Sequence, residues 1–81
     1  MSTFLWQEER GKNFYRIQTD EKSVSDKLKR RKDCKLSSIG LNCKLWVFVC
    51  SYSSPYKAKT SLKRLTGRPI EKDEVTGGFK A

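Results

Sequence analysis

Leu45-Trp46-Val47-Phe48-Val49-Cys50-Ser51-Tyr52-Ser53-Ser54-Pro55-Tyr56-Lys57-Ala58-Lys59-Thr60-Ser61-Leu62-Lys63-Arg64-Leu65-Thr66-Gly67-Arg68-Pro69 contains a strand, a helix and the signals that separate them. Residues 45–50 are apolar without alternation and strand-sized, which predicts a central strand covered on both faces. Ser54 can cap the following helix, and Pro55 suits its first position, where no backbone N–H is needed. Ala58, Leu62 and Leu65 recur at helical spacing and form one apolar stripe. Gly67 can take the left-handed conformation that ends a helix, and Pro69 prevents its resumption.

Working upstream, Gly40-Leu41-Asn42 reads as a turn that returns the chain onto Cys34–Ile39, giving a hairpin with the strand Cys43–Tyr52. Thr3–Gln7 and Asn13–Thr19 form an earlier hairpin around Glu8-Glu9-Arg10-Gly11-Lys12. In its second strand Tyr15, Ile17 and Thr19 share one face, and Phe14, Arg16 and Gln18 the other. Between the hairpins a helix is predicted from Val24 to about Lys32, with Thr19 or Ser23 as cap. Ser23 and Asp26 have capping-box spacing, and Asp20 and Glu21 suit the positive end of the helix dipole. The apolar stripe of this helix is thin, chiefly Val24 and Leu28, and Arg31 falls near it, where it must snorkel or lie in a frayed end.

Downstream, Ile70–Val75 has room for a short edge strand, and residues 76–81 read as a flexible C-terminal tail. The expected fold is therefore a small single α+β domain, residues 1–75, of ββαββα order. Two helices with one apolar stripe each are laid most economically on one face of an antiparallel sheet of four or five strands. At an offset of 34 residues Phe14 meets Phe48, Thr19 meets Ser53, Val24 meets Ala58, and Leu28-Lys29-Arg30 meets Leu62-Lys63-Arg64, the pattern of a pseudo-twofold repeat. This predicted order is similar to the double-wing arrangement of a phage transcription-factor DNA-binding domain, and to relatives of the ferredoxin-like fold. The likeness is one of topology, with no shared motif, and topology alone does not assign a function.

The chain has 81 residues, is 36% hydrophobic and carries nine aromatics, a composition that can fold but builds only a small core. Its net charge is +9, from 18 Lys and Arg against 9 Asp and Glu. The charge is concentrated. Residues 22–35 hold seven bases (Lys22, Lys27, Lys29, Arg30, Arg31, Lys32, Lys35) against two acids, and residues 57–68 hold five (Lys57, Lys59, Lys63, Arg64, Arg68) and no acid. A basic run is commonly just the solvated face of a helix, but solvated faces usually mix signs. The acid-free second helix instead predicts a surface for an anionic partner.

Nucleic acid is the leading expectation. Lys27, Lys29, Arg30, Arg31, Lys32, Lys35, Lys57, Lys59, Lys63, Arg64 and Arg68 would neutralise phosphates and release counterions. Tyr52 and Tyr56 bracket the start of the second helix and could stack on bases, against the plainer reading that they pack at the core's edge. Trp46 and Phe48 belong to the apolar strand and read as core, while Trp6 is open to either reading. The alternative is a non-catalytic adaptor or inhibitor, of the kind phages and mobile elements encode, that docks on an acidic host protein. A homodimer formed through an open sheet face is compatible with both, and an uncovered face carrying Trp6 and other apolar groups would favour a protein partner.

No catalytic apparatus is expected. The chain has no His, and so lacks the commonest general base and metal ligand. Three cysteines without a CxxC pair make a poor zinc site and an unconvincing disulfide framework, so Cys34, Cys43 and Cys50 read as buried free thiols with no metal or cofactor. Glu71-Lys72-Asp73-Glu74 reads as an exposed acidic turn. The absence of a membrane-length apolar run, and of a signal peptide after Met1, leads to the expectation of a reducing cytoplasmic location.

Overall fold

The computed structural model describes residues 2–7, 13–40, 44–75 and 77–81. The expected turn at 8–12 and the segment 41–43, including Cys43, lie outside the described residues. The elements are β1 (Thr3–Gln7), β2 (Phe14–Thr19), α1 (Lys22–Lys29), β3 (Cys34–Gly40), β4 (Leu45–Ser51), α2 (Pro55–Thr66), β5 (Glu71–Lys72) and β6 (Phe79–Lys80). The strands form one antiparallel sheet in the order β3-β4-β2-β1-β6-β5. The α+β class and the ββαββα order are as the sequence predicts. The sheet has six strands because the C-terminus joins it.

Alternation in the strands sorts the two faces. Leu5, Tyr15, Ile17, Phe48 and Cys50 are buried and meet Val24, Leu28, Ala58, Leu62 and Leu65 from the helices in one core cluster. Both helices therefore cover the same face. β4 is interior in the sheet but covered on one side only: Phe48 and Cys50 are buried, whereas Val47 and Val49 on the opposite face are half-buried. The helical offset of 34 residues holds for Val24 and Ala58 and for Leu28 and Leu62, all of which are buried. It fails for the phenylalanines, since Phe48 lies in the core and Phe14 is 58% exposed on the open face. Adjacency of β2 and β4 relates the two hairpins; side-chain-by-side-chain identity does not.

α2 forms as expected. The Ser54 hydroxyl accepts from Lys57 N–H at 3.3 Å, Pro55 opens the helix and Gly67 closes it at φ 66°. α1 differs. It begins at Lys22 after Glu21, no side chain caps it, and it stops at Lys29, so Arg31 lies beyond the helix. Thr19 and Glu21 are drawn instead into a buried cluster with Thr3, whose hydroxyl is 2.8 Å from the Thr19 hydroxyl and donates to Glu21 Oε2 at 2.6 Å. Tertiary partners outcompete local capping here. α1 also buries Ser25, whose hydroxyl finds no hydrogen-bond partner among the described residues. Ser25→Ala removes that desolvated oxygen and raises helix propensity, so urea denaturation is expected to show a gain of about 1 kcal/mol.

The expected tail is corrected by the structure. Phe79 and Lys80 pair with β1 on one side and with β5 on the other, and Ala81 exchanges backbone bonds with Thr3 at 2.9 and 3.2 Å. Gly77 and Gly78, which suggested looseness, let the chain reverse and approach β1 closely. The Ile70–Val75 region supplies only the two-residue strand β5, at the sheet's edge.

Candidate nucleic-acid interface

Helical geometry distributes the side chains of α2 between two flanks and a crest. Lys57, Ser61 and Arg64 recur at i, i+4 and i+7 and share one flank, Lys59 and Lys63 share the other, and Tyr56 and Thr60 lie between. Arg31, at the exit of α1, completes the first flank, where a groove of about 340 Å³ is lined by Arg31, Tyr56, Lys57, Thr60, Ser61 and Arg64. The second flank borders a groove of about 450 Å³ lined by Tyr56, Lys59, Thr60, Lys63, Pro69 and Ile70. Among the described residues, neither lining includes an acid. Tyr56 belongs to both and is 77% exposed.

Arg31 is held in position. Its guanidinium donates to the Ser61 hydroxyl at 2.7 Å, and that hydroxyl lies 2.8 Å from the Tyr52 hydroxyl. Tyr52 is itself fixed by an edge contact with Tyr15, ring centroids 5.7 Å apart. Burial pushes the Tyr52 phenol above its ordinary range, which keeps it a neutral hydrogen-bonding group. A chain from the core through Tyr52 and Ser61 thus orients a cation toward the groove. Pre-orientation lowers the entropy lost when an anion binds.

Tyr52 cannot stack on a base, because it is 8% exposed and occupied as a support. Arg68 is not available to phosphate either: its guanidinium makes two bonds to the Glu21 carboxylate, at 2.6 and 2.5 Å. That bidentate partner and the Thr3 hydroxyl hold Glu21 down at about 2, against the opposing effect of burial. Lys27 donates to the Leu65 carbonyl at 3.1 Å and so bridges α1 to the end of α2. Lys29 and Arg30 are exposed at the end of α1, outside both groove linings. Lys59 lies 5.8 Å from the Phe79 ring centre, a cation–π contact that ties the second groove to β6.

Lys32 and Lys35 are brought together elsewhere. Because Cys34 points into the core, Lys35 points to the open face of the sheet. There it borders a hollow of about 260 Å³ with Phe14, Lys32, Asp33 and Val49 among its walls. The same face carries Phe4, Trp6, Arg16 and Gln18, with Trp6 opposite Arg16 and Phe4 opposite Gln18 across β1 and β2. All four are half-buried, including Trp6, whose role the sequence leaves open.

The eleven basic candidates thus separate into a group that converges on α2 (Arg31, Lys57, Lys59, Lys63, Arg64) and others that point elsewhere or are already paired. Ser61 and Thr60 join the first group without having been expected, since nothing in sequence marks a helical hydroxyl as groove-lining. Among the described residues no helix is long and apolar enough to cross a membrane. No protein-family model, curated protein or solved structure matches the chain.

Proposed function

We propose that the chain is a nucleic-acid-binding module that engages the phosphate backbone along α2. The observation that supports this reading best is Tyr56, an aromatic ring standing 77% exposed between two cationic grooves with no acid among the described residues of either lining. Lys59 and Lys63 are like charges one turn apart, an arrangement that costs an isolated helix a few tenths of a kcal/mol, or about 0.2–0.5. An anion between them converts that cost into affinity. Tyr56 adds a face on which an unpaired base can stack.

The test is fluorescence anisotropy with labelled single- and double-stranded DNA and RNA, titrated with salt from low to physiological concentration. Replacing Lys57, Lys59, Lys63 and Arg64 together by Ala is expected to reduce the magnitude of the log–log salt slope by about 3. Tyr56→Ala is expected to weaken single-strand binding by about tenfold or more and leave duplex binding nearly unchanged. A salt slope unaltered by the fourfold change would remove α2 from the interface.

A second reading has its own support. The open sheet face exposes Phe14 and presents half-buried Phe4, Trp6, Val47 and Val49, a surface suited to a protein partner, including a second copy of the chain. Light scattering of the free protein across concentration separates self-association from the monomer. If the protein binds no nucleic acid at physiological salt, this face becomes the primary candidate.

A further inference from the structure

Cys34 and Cys50 stand directly opposite each other on β3 and β4. The neighbouring pair, Asp33 and Ser51, is joined by a backbone bond from Ser51 N–H to the Asp33 carbonyl at 3.2 Å. Antiparallel pairs alternate, so Cys34 and Cys50 occupy a non-hydrogen-bonded site, where Cα atoms lie about 4.5 Å apart and side chains are closest. That spacing falls within the range of about 4.4–6.8 Å that disulfides span, so a bridge needs no backbone movement. Both thiols are free and both face the core. Spacing in the sequence conceals the pair, because register alone brings residues 34 and 50 together.

We propose that Cys34 and Cys50 are a peroxide-responsive dithiol that closes reversibly into a cross-strand disulfide. Cys34 is the attacking sulfur. The Cys50 thiol hydrogen-bonds to it and favours its thiolate, outweighing burial and the Asp33 carboxylate, whose Oδ1 lies 3.7 Å away, while Arg31 adds a weaker favourable field. The same arrangement, together with burial, keeps the proton on Cys50 and raises that thiol well above its ordinary range. Access is through the edge. Cys34 opens an outer strand immediately after the turn at Lys32 and Asp33, and parting one terminal pair of an edge strand is a low-energy opening.

The chemistry balances with hydrogen peroxide as oxidant. The Cys34 thiolate attacks one peroxide oxygen, an S–O bond forms, the O–O bond breaks and the departing hydroxide takes up a proton as water. Cys50 sulfur then attacks Cys34 sulfur, the S–S bond forms, the S–O bond breaks, and the sulfenic oxygen leaves as a second water carrying the Cys50 proton. Two thiols have supplied two electrons, and a thiol reductant restores both.

The experiment treats the reduced full chain with a small excess of hydrogen peroxide, alkylates the remaining thiols after denaturation, and maps tryptic peptides. Lys35 and Lys44 separate the three cysteines, so each pairing gives a different linked peptide. The expected product lacks two hydrogens, links the peptides of Cys34 and Cys50, leaves Cys43 alkylated, and reverts with dithiothreitol. A bridge enclosing a loop of this size is also expected to raise Tm by about 12–24 °C in the oxidised form. Cys43→Ser should behave alike, and Cys50→Ser should give a sulfenic or over-oxidised Cys34 with no intramolecular bridge. Three results would overturn the proposal: linkage through Cys43, oxygen addition without linkage in the native chain, or both thiols fully alkylated after treatment.

Discussion

Arg68→Ala is expected to lower stability at neutral pH by about 2–3 kcal/mol and to leave nucleic-acid affinity of the folded protein almost unchanged. Glu21 is 7% exposed, and its carboxylate is satisfied by Arg68 and Thr3. A carboxyl held at about 2 rather than its ordinary 4.5 contributes about 3 kcal/mol when ionised. The figure is trimmed because Arg68 itself is 38% exposed and partly screened by water. Removing the guanidinium strands a charge among Thr3, Thr19 and the start of α1, which costs more than forgoing the pair altogether. Glu21→Gln in the Arg68→Ala background is therefore expected to restore part of the loss.

The pH dependence has a definite sign. Since the folded pKa of Glu21 is depressed, its contribution is complete above about 4.5 and is lost progressively as pH falls toward 2. Arg68→Ala raises that folded pKa, so the acid limb of its stability curve between about pH 5 and 2 should flatten relative to the native chain. Urea denaturation at stepped pH measures both effects. An acid limb unchanged by the substitution would mean that the Glu21–Arg68 pair does not form in solution.

How much could be read from the sequence depended on whether a feature was local. α2 was legible end to end because Ser54, Pro55, Gly67 and the Ala58–Leu62–Leu65 stripe each act within a turn or two of chain. The faces of β2 were legible because period-two alternation needs no knowledge of the partner strand. Glu21 and Arg68 are 47 residues apart, and no local rule says that one will neutralise the other. Tyr52 and Tyr56 looked equivalent at four residues' separation, yet one supports the groove from below while the other stands above it. The direction of a side chain just before a helix is set by tertiary packing, and that is where the readings of the two rings diverge.

The C-terminus makes the same point with a larger consequence. Thr76-Gly77-Gly78-Phe79-Lys80-Ala81 has the composition of a tail, but glycine also marks places where backbones approach closely. A methyl group added at Gly78 would lie 2.0 Å from the Leu5 carbonyl oxygen and 2.7 Å from Trp6 Cα. These are backbone atoms of a central strand pair and cannot move aside. Gly78→Ala is therefore expected to expel β6 from its place between β1 and β5, losing the Thr3–Ala81 bonds and the Asp73 N–H bond to the Gly78 carbonyl at 2.9 Å. Phe79 leaves the core's margin with it.

The cost should reach about 3 kcal/mol or more, a fall in Tm of at least about 10 °C, with hydrogen exchange accelerated at Thr3, Leu5 and Ala81. Gly40→Ala is the control: an added methyl there meets nothing within 4 Å, and stability should change by less than about 0.5 kcal/mol. The difference between the two substitutions isolates steric exclusion from the entropy that any glycine-to-alanine change alters in the unfolded chain. Were Gly78→Ala to melt with the native protein, the C-terminal residues would be a tail after all, and β1 rather than β5 would be an edge of the sheet.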